Sequence, residues 1–253
     1  MLEAICENPQ AASPAYLADH LKIPLATVYR FIDGLTEEGF TTTGPLGNII
    51  PGDRLRVMVL NSLMHEPRVT ERRAVLRRLS VELDETVSLS VPQGTKLIYF
   101  DRVESHWPFQ INLKTGDSLP LHRCASGKMY LSSFEPESAL QVFKSVPAEK
   151  RTRNTIKSGK QFVAELAAIR KRDYALDNEE WFDDMVGAAV PIRNGHGELC
   201  ACLSTHALIT RKKLSKIEKQ IPKMLTAARD LELLFFAQTP KVKAKQQTAK
   251  TKV

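Results

Sequence analysis

Ala26, Thr27, Tyr29 and Arg30 crowd one short stretch of the chain, and together they offer contacts suited to base edges and phosphates. A second cluster, His122 and Cys124, offers a base and a nucleophile two residues apart. Residues so spaced share a face only on a regular strand, and no third group that would orient the histidine is evident. An enzyme using His122 and Cys124 is therefore the weaker reading. His122, Cys124, Cys200 and Cys202 carry metal-ligand chemistry, yet the lone C-x-C lacks the usual spacing and these residues serve equally well as small core hydrophobes. No metal and no cofactor are expected.

The elements that must position the first group are legible around it. Residues 14–40, PAYLADHLKIPLATVYRFIDGLTEEGF, read as a helix-turn-helix. Leu17 and Leu21 set an apolar stripe on a first helix, which Ile23-Pro24 stops. A second helix buries Val28, Ile32 and Leu35 at i, i+4 and i+7, and its remaining face carries Ala26, Thr27, Tyr29 and Arg30. Gly39 fits the left-handed position that ends it, with Phe40 folding back. A plain αα-hairpin is the alternative. Against it, two β-prone runs, 41–43 and 48–50, flank Gly44-Pro45-Leu46-Gly47 and signal a hairpin. A hairpin directly after such a helix makes a winged helix-turn-helix, so Thr43 and Asn48 join the candidate DNA contacts.

Charge runs against this reading. Residues 1–66 hold four basic side chains (Lys22, Arg30, Arg54, Arg56) and eight acidic ones, a balance of −4 in a chain of net charge +7. Such a segment lacks the basic footprint usual in DNA-binding modules, and weak, salt-sensitive affinity is expected. A dimer would double the phosphate contacts, and helix N-termini hold phosphate without side-chain charge. The excess of positive charge lies in the middle of the chain and in residues 239–253, which carry five lysines and no acid.

At 253 residues, 43% hydrophobic and 26% charged, the chain has ordinary globular composition and room for two domains. No apolar run approaches the roughly 18 residues of a membrane span, and the N-terminus lacks a signal-peptide pattern. Four scattered cysteines make no disulfide framework, so a reduced cytoplasm is the expected setting. Residues 238–253 are expected to be a disordered Lys-rich tail.

Beyond the hairpin, residues 53–64, DRLRVMVLNSLM, are apolar nearly all round a helix, which predicts burial against a second domain or a second subunit. Pro67 breaks this helix. Residues 69–83 resume helical spacing with Val75, Leu79 and Leu83 on one stripe and a solvated face of Arg72, Arg73, Arg77 and Arg78 opposite. From Thr86 the period changes to strands: TVSLSV, then KLIYFDRV after a turn at Gln93-Gly94-Thr95, then PFQINLK. Gly116-Asp117 turns toward Leu119. Helices are expected near 126–134, 137–146 and 161–172, followed by strands VGAAVPIR and LCACLST around a hairpin turn at 194–197, and a closing amphipathic helix over 212–236. Antiparallel strands with helices packed on them give an α+β sensor-like class.

At this level of detail the chain resembles the IclR family of bacterial transcriptional regulators. The landmarks are PLATVYRFIDGLTEEGF, YFDRVES, PLHRCASGKMYL at 120–131, YALDNEEW at 174–181 and VGAAVPIRNGHGELCACLST at 186–205, in the family's order. The resemblance covers residues 2–236. It implies a winged helix-turn-helix domain over 1–52, a linker helix over 53–66 and a GAF-like effector-binding domain over 67–237. It also implies a homodimer or tetramer on double-stranded operator DNA, as repressor or activator, with a small organic metabolite as effector. Carried over by motif, the effector site takes Leu119, Ala125, Ser126, Asp177, Met185, Gly187, Ser204 and His206. Ala125 and Ser126 precede a helix whose free N–H groups could cradle a carboxylate, and Ser204 and His206 alternate onto one strand face. The structural alternatives are a helix cap for Ser126, a turn for Asp177 and a core histidine for His206. Leu25 and Ala26 replace a basic residue and a serine common in the family, Gly187 replaces a frequent cysteine, and His206 a frequent serine. Gly34 costs helix propensity inside the second helix. Ser204-Thr205-His206-Ala207 resembles an ending found in regulators of aromatic-acid catabolism, which leans the effector toward an organic acid. A small-molecule-binding protein that has lost operator binding is the second reading, motivated by the −4 balance.

Overall fold

The structure, a computed structural model, describes residues 1–7, 11–44, 47–65, 68–93, 96–107, 113–146 and 151–236, without the side chains of residues 60–65, 93 and 119. Three short helices open the chain: α1 (Leu2–Glu7), α2 (Pro14–Leu21) and α3 (Leu25–Glu37). Ser13 caps α2 by accepting the Tyr16 N–H at 3.2 Å, while Pro14 supplies a preset φ in the first turn. Lys22 takes a left-handed conformation (φ 55°) and Pro24 leads into α3. Gly39 (φ +72°) ends α3 in a Schellman arrangement: its N–H donates to Thr36 O at 2.9 Å, and Phe40 N–H to Leu35 O at 2.8 Å. Strands β1 (Thr41–Thr43) and β2 (Ile49–Pro51) pair antiparallel, the second one residue later than its sequence signal. Pro45 and Leu46 of the turn lie outside the described residues. Ile5, Leu17, Val28, Ile32 and Ile49 form the small core of this unit.

Helix α4 (Asp53–His65) follows. The expected burial is not met within the chain: Val57, Met58 and Val59 stand 54%, 55% and 50% exposed. The break expected at Pro67 lies outside the described residues. Helix α5 (Val69–Leu83) corrects a second expectation. Arg72 does not belong to a solvated face; it is buried, because it sits one helical repeat ahead of Leu76, Leu79 and Leu83.

Six antiparallel strands build one sheet: β3 (Thr86–Gln93), β4 (Lys96–Val103), β5 (Ser118–Pro120), β6 (Ala175–Asn178), β7 (Met185–Arg193) and β8 (Leu199–Leu208), in the order β5-β4-β3-β8-β7-β6. Two three-stranded meanders thus meet along β3 and β8. Of the strand expected at 108–114, residues 108–112 lie outside the described residues and Leu113-Lys114 are not in a strand. The third strand is β5 instead, entered by the turn at Gly116 (φ +93°).

Helices cover both sheet faces. On one, α5 and α10 (Ile221–Phe236) bury Val87, Leu89, Val186, Val190 and Leu203. On the other lie α6 (Ala125–Leu131), α7 (Pro136–Lys144) and α8 (Gly159–Arg172). The single closing helix expected over 212–236 is divided into α9 (Leu214–Glu218) and α10, since Pro222 has no N–H to give to the carbonyl of Glu218. A bulge in β4, opposite Leu89-Ser90, sends Phe100 and Asp101 toward α5, so that Arg102 faces the other layer. There Asp101 accepts Arg72 Nε at 2.7 Å and Arg73 Nε at 3.2 Å. No helix among the described residues is long and apolar enough to cross a membrane.

Candidate functional site

The face of α3 turned away from the small core exposes Ala26, Tyr29 and Arg30 and half-exposes Thr27. Three of the four basic side chains in residues 1–66 are ion-paired: Lys22 to Asp19, Arg54 to Glu38 and Arg56 to Asp53. Among the described residues, Arg30 is the one of the four with no carboxylate partner, and its guanidinium lies 5.9 Å from the Phe31 ring. On the hairpin Thr43 is exposed, whereas Asn48 is half-buried and turned in toward Gly44. An added Cβ at Gly34 would meet nothing within 4 Å, so no packing demands this glycine.

The second site is built on the sheet face under α6. Cross-strand partners share a face, and the register puts Arg102, Ser88, Ser204 and Ala189 in one row. Thr86, His206, Gly187 and Asp177 form the next row. Met185 alternates onto the same side. Helix α6 meets the sheet where Cys202 Sγ lies 3.4 Å from Ser126 O, and it packs tightly on the turn before it, where a Cβ on Gly127 would fall 1.8 Å from Leu121 O and only glycine fits. Seven of the eight effector-site candidates, Ala125, Ser126, Asp177, Met185, Gly187, Ser204 and His206, therefore lie on this face or on the helix over it. The side chain of Leu119 lies outside the described residues; its backbone pairs with Leu97. Ser126 is not the cap of α6, since Cys124 holds that position. Asp177 does serve its turn, accepting Glu180 N–H at 2.8 Å, and burial beside the Glu180 carboxylate pushes its own carboxyl up. Buried Lys128 binds Glu180.

His206 is an uncharged member of this face. Burial, and then the neighbouring Arg102 guanidinium, hold its pKa down to about 3, so the ring is neutral near pH 7. The fixed positive charge on this face belongs to Arg102, whose Nη2 stands 3.4 Å from His206 Nε2. A guanidinium can only donate, so Nε2 accepts and the ring proton sits on Nδ1. Gly187, the cross-strand partner of His206, allows the close approach of β8: an added Cβ there would fall 2.8 Å from Thr205 O. Ser88, Ser90, Tyr99 and Arg102 were not singled out by sequence. Their signal is the alternation in TVSLSV and KLIYFDRV, which looks like a solvent face until α6 covers it.

The His122–Cys124 pair does not form. His122 Nε2 accepts from Arg123 Nε at 2.8 Å, and its pKa is pushed down to about 4 by burial and by that guanidinium. Cys124 is buried, its thiol pushed up to about 12, and its Sγ lies 3.5 Å from Pro120 O. A thiol held protonated beside an imidazole already occupied as an acceptor is no nucleophile–base pair. Among the described residues no group of His, Cys, Asp and Glu could hold a metal ion.

Residues 62–233 match the family described as bacterial transcriptional regulator IclR C-terminal. The chain belongs to the IclR family. The SauR regulator of Cupriavidus necator is 27% identical over 93% of this chain and 94% of its own. The crystal structure of Thermotoga maritima IclR covers 91% of this chain and 94% of that one, with a TM-score of 0.61 and 28% identity. The inducer-binding domain of PobR from Acinetobacter, a double mutant in complex with 3-hydroxybenzoic acid, covers 67% of this chain and 99% of its own, with a TM-score of 0.60 and 25% identity. This IclR-family chain is a transcriptional regulator and not an enzyme.

Proposed function

We propose that this IclR-family protein binds double-stranded operator DNA through α3 and the β1–β2 hairpin, acting as a winged helix-turn-helix, and that a small organic acid in the α6–sheet site modulates that binding. In this reading residues 1–52 form the DNA-binding domain, 53–66 the linker and 67–237 a GAF-like effector domain. The observation that carries the DNA half is Arg30: a cation exposed beside Tyr29 and Thr27, with no carboxylate partner among the described residues. Thr43 on the hairpin is free to reach phosphate, and Asn48 shapes the turn. The effector half is supported by the convergence of Ala125, Ser126, Asp177, Met185, Gly187, Ser204 and His206, with Leu119 nearby in the chain, and by the acid bound to the related PobR domain. The exposed apolar side chains of α4 favour a homodimer or larger assembly.

A gel shift with the intergenic DNA upstream of the protein's own gene tests this. Arg30→Ala should weaken binding with fold and assembly unchanged. Thr27→Ala should cost about 1–3 kcal/mol of operator preference if it touches a base. Wild-type affinity in both variants would remove α3 as the reading helix. The acidic balance of residues 1–66 favours the second reading, a ligand-binding protein without an operator, and absence of any shift by the wild-type chain would select it.

A further inference from the structure

The sheet face under α6 carries hydroxyls that the fold itself does not use. Ser88 and Ser90 are both 0% exposed, and neither Oγ has a hydrogen-bond partner among the described residues. A buried hydroxyl without a partner is costly, and two on one face are hard to reconcile with a purely structural role. Each stands beside a residue of β8 on the same face: Ser88 opposite Ser204, and Ser90 opposite Cys202, the residue touching α6. The same row ends on Arg102, 7% exposed, beside His206. The face thus sets the Arg102 guanidinium beside a file of hydroxyls along β3.

We propose that this face selects a linear hydroxylated carboxylic acid, whose carboxylate meets Arg102 and whose hydroxyls meet Ser88 and Ser90. The inference rests on the effector reading above and narrows it. The guanidinium provides the planar donor fork that a carboxylate matches. A serine hydroxyl both donates and accepts, which suits a ligand hydroxyl, while a ligand methylene would leave it unpaired. Neutral His206, in the adjacent row, accepts from Arg102 and fixes one side of the guanidinium. The three polar types on the face therefore have separate tasks: charge recognition, orientation and hydroxyl recognition.

Calorimetric titration of the full-length protein with matched acids provides the test: glycerate against propionate, threonate against butyrate, gluconate against hexanoate, and the uncharged polyol glucitol. One hydroxylated acid should bind more tightly than its deoxy partner, by roughly two- to tenfold per hydroxyl read, and glucitol should not bind. Ser88→Ala and Ser90→Ala should erase that preference and leave the melting temperature of the ligand-free protein unchanged or raised, because an unpaired buried hydroxyl has been removed. Arg102→Gln should weaken both acids of a pair, by roughly ten- to a hundredfold. Equal binding within every pair overturns the hydroxyl inference and leaves an organic-acid effector standing. Binding of no acid overturns both. A melting temperature lowered by several degrees in the serine variants would mean that their hydroxyls are structural, and would overturn the inference by itself.

Discussion

Asp101→Asn should destabilise the protein far more than its size suggests. The carboxylate is buried between α5 and the sheet, where it accepts Arg72 Nε at 2.7 Å, Arg73 Nε at 3.2 Å and the Arg102 N–H at 2.9 Å. The side chains of Arg72 and Asp101 are 3% and 5% exposed, so water screens their attraction poorly. The half-exposed Arg73 contributes at most about 1 kcal/mol. Asparagine keeps the shape and still accepts the backbone N–H, but takes the Asp101 negative charge away from the buried Arg72 guanidinium above Phe100. Removing one member of such a pair costs about 3–5 kcal/mol, a large share of the roughly 5–15 kcal/mol that holds a domain together. Urea denaturation of the intact protein, read by circular dichroism, measures the loss as a shift of midpoint at constant slope. Replacing both partners, Arg72→Met with Asp101→Leu, should recover most of it, since no lone charge is then left inside. A loss below about 1 kcal/mol in Asp101→Asn, or a double variant no better than the single one, would refute the reasoning.

Three further outcomes are expected. Gly127→Ala should displace α6 and cost about 1–3 kcal/mol or more in thermal melts, because the new methyl meets the carbonyl oxygen of Leu121, a backbone atom that cannot swing aside. The depressed pKa of His122 makes the unfolded chain bind the extra proton below its ordinary value of 6.5, so the stability it contributes is complete above that pH and lost as pH falls toward about 4. His122→Asn should therefore flatten the acid limb of a stability–pH curve by on the order of 1–3 kcal/mol, while Asp177, raised in the fold, bends the same curve the opposite way and is common to both proteins. Met58→Asp on the exposed face of α4 should shift sedimentation toward the monomer, and an unchanged oligomer would clear that face of a role in assembly.

The N-terminal unit was legible because its signals are local. Ile23-Pro24 and Gly39-Phe40 fix helix ends by their own φ preferences, whatever the rest of the chain does. Arg72 was misread as solvated because its partner Asp101 lies 29 residues away on another element, and the charge of an arginine outweighed its place on the apolar stripe. The four residues of β6, Ala175–Asn178, have no alternation to reveal a strand; pairing with β7 creates it. Seven of the eight family-matched effector positions came together because motif order carries tertiary information that periodicity lacks. Ser88, Ser90 and Arg102 escaped notice for the converse reason. Alternating serines look wet in one dimension, and only β8 and α6 make them dry.

The seam between the two meanders has a consequence for how the protein comes into being. Ser204 Oγ meets Ser88 O across a separation of 116 residues, and every other pair along the seam is likewise far apart in the chain. Each meander can form by local hairpins, but the groups along the seam assemble only after the longest loop in the sheet has closed. A nascent chain halted before β8 therefore lacks this face altogether. Any molecule that bridges β3 and β8 acts as a clasp on the last-closing joint, resisting unzipping of the sheet where cleavage between the halves would otherwise let them drift apart.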